Sequence, residues 1–141
     1  MQNKIKKEDF NFTESLSFEK IIHNVQEDLF IIQAEIAGSK ISIEESKIKE
    51  LENIVDSIEK ELPEIKSFFI SGGTKLAVLF DISRTISRRA ERRVIAVVEE
   101  KKTEVSSSTL AYLNRLSSLL YACARLANYR AGILEESPNY E

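Results

Sequence analysis

The stretch DISRTISRRAERRVIAV, residues 81–97, gathers five arginines (Arg84, Arg88, Arg89, Arg92 and Arg93) into ten positions of a 141-residue chain whose formal net charge is −3. Residues three, four and seven apart share a helix face. The spacing therefore predicts one charged ribbon of Asp81, Arg84, Arg88, Glu91 and Arg92. Leu76, Leu79, Ile86, Ala90, Val94 and Val97 are expected to fill the opposite side, with Arg89 and Arg93 at the apolar edge beside Ile82 and Ile86. A helix apolar over so much of its girth is expected to be covered on several sides. Arginine is almost never fully buried alone, because desolvating its charge is expensive. The ribbon thus needs acids or an anionic ligand.

Three kinds of partner suit it. Asp81, Glu91 and other acids would make a structural ion-pair network, a common outcome. Nucleic-acid phosphates are disfavoured by the acidic balance and the lack of a broad basic surface. A small polyphosphate suits bidentate guanidinium chemistry. Spacing alone leaves the first and third readings open.

Working outward, Phe18, Ile21, Ile22, Val25, Leu29, Ile32 and Ile36 predict a helix from Ser17 to a stop at Gly38. A second helix is expected to open at Ser42, which has capping-box spacing to Glu45, and to end at Pro63. The segment PEIKSFFISGGTK, residues 63–75, is the clear break in the chain. Its Gly72-Gly73-Thr74 reads as a loop and N-cap before a third helix over residues 75–98, with anion capture by its free N–H groups a weaker reading. A fourth helix starts near Ser108 or Thr109. On it Asn114, Ser118, Tyr121 and Arg125 form a polar strip opposite Leu110, Leu113, Leu116 and Leu120. Two helices with polar strips in an apolar bundle suggest a shared polar site, between subunits in one reading.

The expected fold is all-α, an antiparallel four- or five-helix bundle. A polar arm over residues 1–16, one bundle domain over 17–134 and a loose tail over 135–141 complete the organisation. Four glycines and two prolines are too few for the turns of an all-β protein. The single cysteine, Cys123, excludes an intramolecular disulfide and fits a reducing compartment. It sits among small residues in YACARLA, a packing environment and not that of a nucleophile. His23 lacks the companions a metal site needs. No apolar run reaches the roughly 18 residues of a membrane span, and MQNKIKKEDF lacks the core of a secretion signal. A soluble, cytoplasmic protein without membrane or nucleic-acid partners is expected.

The stretches SFFISGG, DISRTISRRAERRV and YLNRLSSLLYACAR, in this order and spacing, resemble the ATP:cob(I)alamin adenosyltransferases of the propanediol-utilisation type. The resemblance runs from about residue 17 to 130. It rests on Arg84, Arg88-Arg89-Ala90-Glu91-Arg92 and Leu113-Asn114-Arg115-Leu116-Ser117. It implies a homotrimer of helix bundles with active sites at subunit interfaces. The implied reaction moves the 5′-deoxyadenosyl group of ATP onto cob(I)alamin, giving adenosylcobalamin and triphosphate. A cobalamin-dependent mutase is an implied acceptor of the product. Arg84, Arg88, Glu91 and Arg92 would form the catalytic group. Arg88, Glu91 and Asn114 would contact ATP, with Glu91 also reaching its Mg²⁺. Phe68 and Asp81 would face the corrinoid, Phe68 crowding the lower face of the ring. From its hydrophobicity alone, Phe68 reads equally as a loop anchor packed on the bundle.

The sequence also departs from the family pattern. Residues 1–16 match neither the family's Thr-Lys-Thr-Gly-Asp loop nor its Asp-Glu-Leu-Asn helix, which carries the aspartate that pairs with the arginine at position 84. Asp81 stands where the family usually has histidine, Ser118 where it has aspartate, and Ser71 where it has proline. Asp81, one turn before Arg84, is expected to pair with it instead. A shortened relative that keeps the bundle without ATP chemistry is the alternative. The intact arginine and asparagine motifs favour the enzyme.

Overall fold

Helix α1 (Phe18–Ile36) begins where the Ser17 hydroxyl accepts the Lys20 N–H at 3.2 Å. It ends where Gly38 takes φ +103° and the Ser39 N–H returns to the Ala34 carbonyl. A left-handed residue at that point closes the helix and favours glycine. The computed structural model continues with α2 (Glu45–Glu61), α3 (Lys75–Glu99) and α4 (Ser107–Arg130). It describes residues 17–64 and 68–140. The expected arm over residues 1–16 lies outside the described residues.

Side-chain bridges fix the direction of each helix. Glu35, late in α1, meets Thr109 at the start of α4, while the earlier Asp28 accepts the Tyr112 hydroxyl at 2.8 Å. Helices α1 and α4 are therefore antiparallel. Arg115–Glu52 and Arg130–Glu61 step in the same sense, so α2 and α4 are parallel. Thr74 opposite Asn128 and Arg84 opposite Tyr121 set α3 antiparallel to α4. The result is the up-down-up-down bundle that the four apolar stripes predict.

Helix α4 is its axis. Twelve of its residues are buried, against three in α3, because leucine and small residues cover α4 on nearly all sides. Ile21 and Ile32 of α1, Leu51 and Ile58 of α2, and Phe80 of α3 close on Tyr112, Leu116, Leu119 and Leu126.

Three expectations need correction. The Ser42–Glu45 capping box does not form: α2 starts at Glu45 after Glu44, which makes no side-chain cap bond. The chain stays extended there so that Ile43 enters the core, 2% exposed, with its carbonyl accepting the Ser108 hydroxyl at 2.9 Å. The tail is tied at its start. Glu135 forms a bidentate pair with buried Arg125 at 2.7 and 3.1 Å, and the Glu136 carbonyl accepts the Ile70 N–H at 2.7 Å. Third, the apolar side of α3 is not filled. Leu79, Ile82 and Ile86 are each at least half exposed, because the helix turns part of its charged ribbon inward.

Glu35 shows how polar groups survive next to α4. It is buried, and takes the Ser106 N–H at 2.6 Å together with the Thr109 hydroxyl. Burial alone would raise its carboxyl, but the bonds from Thr109 and Ser106 outweigh it and hold the group below its ordinary 4.5. A depressed folded value stabilises the protein above the unfolded one and is lost as pH falls through the folded one. Glu35→Ala strands two buried donors and should cost about 1–3 kcal/mol in urea unfolding. Glu35→Gln keeps an acceptor but cannot titrate, so its stability should fall less steeply than wild type on acidification below pH 4.5. Parallel acid limbs would refute the assignment.

Candidate functional site

The contact between α3 and α4 is polar where a bundle is usually apolar. Arg84 is half-buried, its guanidinium carbon 5.5 Å from the centroid of the Tyr121 ring, a cation–π arrangement. Ser87 and Glu91 continue the inward side of α3 at three- and four-residue spacing, and Ser117 stands one turn before Tyr121 on α4. Arg84 Nε, Ser87 Oγ, Glu91 Oε2, Ser117 Oγ and the Tyr121 hydroxyl are all buried without a hydrogen-bond partner among the described residues. Each such atom costs about 1–3 kcal/mol of lost hydration if nothing meets it. Five along one seam mark a place built to receive a polar group.

The rest of the arginine cluster faces outward. Arg88, Arg89, Arg92 and Arg93 are exposed. None of the five arginines from 84 to 93 has an ion-pair partner among the described residues, whereas Arg115, Arg125 and Arg130 are paired with Glu52, Glu135 and Glu61 at 3.0, 2.7 and 3.1 Å. Among the described residues, a structural ion-pair network does not account for the cluster. The expected Asp81–Arg84 pair is also absent: Arg84 is drawn over the Tyr121 ring. Burial raises the Asp81 carboxyl above its ordinary value, with the Gly72 backbone N–H and the Arg84 charge partly offsetting it.

The polar strip predicted on α4 divides in two. Asn114 and Ser118 are exposed, and the Asn114 side-chain oxygen accepts a bond from Arg115 Nη1 at 2.9 Å. Tyr121 turns toward Arg84. Arg125 is only 4% exposed and is occupied by Glu135, the Pro63 carbonyl at 3.3 Å and the Phe69 ring at 5.1 Å. It belongs to the scaffold.

Phe68 is not a loop anchor. It is 78% exposed, while its neighbour Phe69 is half-buried under Arg125. Beyond it, Thr74 caps α3 by accepting the Ala77 N–H at 3.1 Å, so the Gly-Gly-Thr segment is a loop and cap. The loop, the tail from Ile133 to Glu136, Asp81, Tyr121 and Asn128 enclose a pocket of about 220 Å³. Nothing in the sequence pattern marks Asn128, which takes the Thr74 N–H and donates to the Gly72 carbonyl. A Gly-Gly pair is the only hint that another group must approach the backbone closely.

Cys123 is buried and its thiol is pushed up to about 12, which removes it as a nucleophile. His23 is exposed and meets only Glu27, at 3.1 Å. Among the described residues no group of three or more His, Cys, Asp or Glu could hold a metal, and no helix is long and apolar enough to cross a membrane. An apolar cleft of about 420 Å³ runs between α1, α3 and α4, lined by Ile22, Leu29, Leu79, Ile86, Leu116 and Leu120 among others.

A family model described as cobalamin adenosyltransferase matches residues 3–127. A corrinoid adenosyltransferase of Bacillus subtilis (strain 168) is 41% identical over 113 residues, covering 77% of this chain and 58% of the relative. One of Mycobacterium tuberculosis (strain H37Rv) is 35% identical over 122 residues, covering 81% of this chain and 63% of the relative. The chain thus spans about three-fifths of the length of these curated relatives. In structure it resembles a phenylalanine-to-alanine variant of a PduO-type ATP:corrinoid adenosyltransferase from Lactobacillus reuteri, complexed with cobalamin and ATP. The TM-score is 0.80 at 27% identity, over 85% of this chain and 69% of that one. An arginine-to-lysine variant complexed with ATP gives 0.79 at 27% identity, over 91% and 78%.

The paired and unpaired arginines should separate in stability measurements. Arg88→Ala and Arg92→Ala remove no hydrogen bond or ion pair among the described residues and should shift unfolding by less than about 0.5 kcal/mol. Glu135→Ala leaves Arg125 buried without its carboxylate and should cost about 3 kcal/mol. Equal effects in urea titrations would contradict this division.

Proposed function

We infer, from a chain that belongs to the cobalamin adenosyltransferase family, that it transfers the 5′-deoxyadenosyl group of ATP to cob(I)alamin. The observation that carries this reading is the arginine cluster. Among the described residues, five guanidinium groups on one helix lack carboxylate partners while every other arginine has one. A triphosphate supplies the charge they lack.

In this reaction the cobalt(I) electron pair of the substrate attacks C5′ of ATP. The C5′–O bond breaks and its electron pair leaves on triphosphate, so cobalt ends as cobalt(III) bound to carbon. No side chain needs to act as nucleophile. The protein aligns the two substrates and offsets charge on the leaving group. Arg88 and Arg92, exposed on α3, are placed to bind the phosphates as two-toothed donors. Arg84 orders the seam from over Tyr121. Asn114, exposed on α4, would hold ATP through its side-chain amide. Glu91 has a buried carboxylate oxygen with no partner. One carboxylate suits Mg²⁺, which keeps several waters and completes its shell with phosphate oxygens. When bound, Mg²⁺ would supply charge neutralisation at the triphosphate. Phe68 and Asp81 face the corrinoid, with Phe68 against the lower face of the ring, where an exposed aromatic removes the lower ligand by occupying its place.

The exposed Leu79, Ile82 and Ile86 of α3 suit contact with another copy of the chain. We take the working form as a homotrimer with sites at its interfaces. A cytoplasmic setting and a cobalamin-dependent mutase as acceptor complete the proposal.

The decisive test is anaerobic, with the full chain, chemically reduced cobalamin and MgATP. The cob(I)alamin band should disappear and adenosylcobalamin should form. Arg88→Ala should lower kcat/KM by roughly 10²–10³-fold, the range for losing one donor to developing charge, with an unchanged helical spectrum. Phe68→Ala should slow turnover from cob(II)alamin under reduction and leave the KM for ATP unchanged. A folded chain that binds cobalamin without reacting would favour the non-catalytic relative.

A further inference from the structure

The loop that presents Phe68 is held by a residue far away in the sequence. Phe68 itself is 78% exposed and contributes little to its own placement. Its neighbours are fixed: Phe69 lies under Arg125, and the Ile70 N–H bonds the Glu136 carbonyl. The other end of the loop is held from α3, where the Gly72 N–H meets the Asp81 carboxylate, and from α4 by Asn128. Its Oδ1 accepts the Thr74 N–H at 2.9 Å and its Nδ2 donates to the Gly72 carbonyl at 2.8 Å. A carboxamide supplies donor and acceptor together. Gly73, between the two anchored residues, has φ +95°, and a Cβ built on it would lie 2.3 Å from Asn128 Oδ1. The backbone crosses the carboxamide closer than any residue with a side chain permits, which accounts for the glycine at position 73.

We propose that Asn128 is a positioning residue of the reaction. By gripping Gly72 and Thr74 it sets the loop from which Phe68 meets the corrinoid, and so governs corrinoid use without touching either substrate. The inference rests on the reading of Phe68 as the corrin-facing aromatic. A loop released by Asn128 keeps its attachments at Phe69, at Ile70 and through the Gly72 N–H to Asp81, so Phe68 becomes misplaced and the bundle stays folded. Misplacement of about 1 Å at a reacting centre can cost up to about 10²-fold.

The test compares Asn128→Ala with wild type in three measurements on the full chain: amide hydrogen exchange of residues 68–74, cob(II)alamin binding with its visible and paramagnetic resonance spectra, and MgATP binding. Exchange should quicken in the loop and not in α4. Corrinoid affinity should fall by about tenfold, the bound cobalt should retain more of its lower ligand, and MgATP affinity should be unchanged. In a Phe68→Ala background the further loss on Asn128→Ala should vanish, because both changes act through one ring. If Asn128→Ala is too unstable to purify, Asn128→Asp serves, since it keeps the acceptor for Thr74 and sets a repelling carboxylate oxygen against the Gly72 carbonyl. Additive losses, a parallel fall in ATP and corrinoid affinity, or an unchanged loop would overturn the proposal. A wild-type chain that binds MgATP but no corrinoid would sink the reading of Phe68 itself, an outcome distinct from a latch that fails in an active protein.

Discussion

Helix α4 is enclosed by the other helices over most of its girth, and every polar group it buries needs a partner inside the protein. Most of the structure beyond the four helices follows from that constraint. Thr109 obtains Glu35 from α1, Tyr112 obtains Asp28, Arg125 obtains Glu135 from the tail, and Asn128 obtains the backbone of the loop before α3. An unpaired buried polar group costs more than a formed hydrogen bond contributes, so these four attachments fix where α1, the tail and the loop must lie. Two residues of α4 break the pattern. Among the described residues, Ser117 and Tyr121 keep buried oxygens without partners, and they share the seam with Arg84, Ser87 and Glu91, where the same is true. The exceptions cluster at the candidate site.

That contrast connects stability to function. Arginines that hold the fold are paired: Arg125 deep in the bundle, Arg115 and Arg130 nearer the surface. Those on α3 have no ion-pair partner among the described residues. An anion-binding site must leave its donors unused in the empty protein, since a partner already present would have to be displaced. The exposed apolar residues on another side of α3 have the same character, surface held ready for something outside the folded chain. Helix α3 therefore serves the interior far less than α4, with three buried residues against twelve.

Much of the fold was legible in the sequence because it depends on local periodicity. Ser17, Gly38 and Thr74 mark helix ends through chemistry that acts over three or four residues. The α2 start was misplaced because Ile43 is drawn into the core and keeps Ser42 in an extended segment, a tertiary demand that overrides a good capping box. The arginine cluster was legible as needing anions, and its resemblance to the adenosyltransferases pointed to which. Which face α3 turns inward was not, because a helix with charge on one side and leucine on another can pack either way round, and only the seam with α4 selects between them.

The sequence by itself determined that this chain forms a helical bundle with an unusual concentration of guanidinium groups, and which family it joins. Only the tertiary structure decided which arginines are spoken for, since Glu135 lies 10 residues from Arg125, and Glu61 lies 69 from Arg130. It alone decided that Phe69 is packed and Phe68 is free, two adjacent phenylalanines that no local rule distinguishes. It alone revealed Asn128, whose partners at Gly72 and Thr74 are 56 and 54 residues away. Periodicity reports which face of an element is apolar. The partner of each polar atom depends on what the chain brings back from a distance, and that distance is not written in the local pattern.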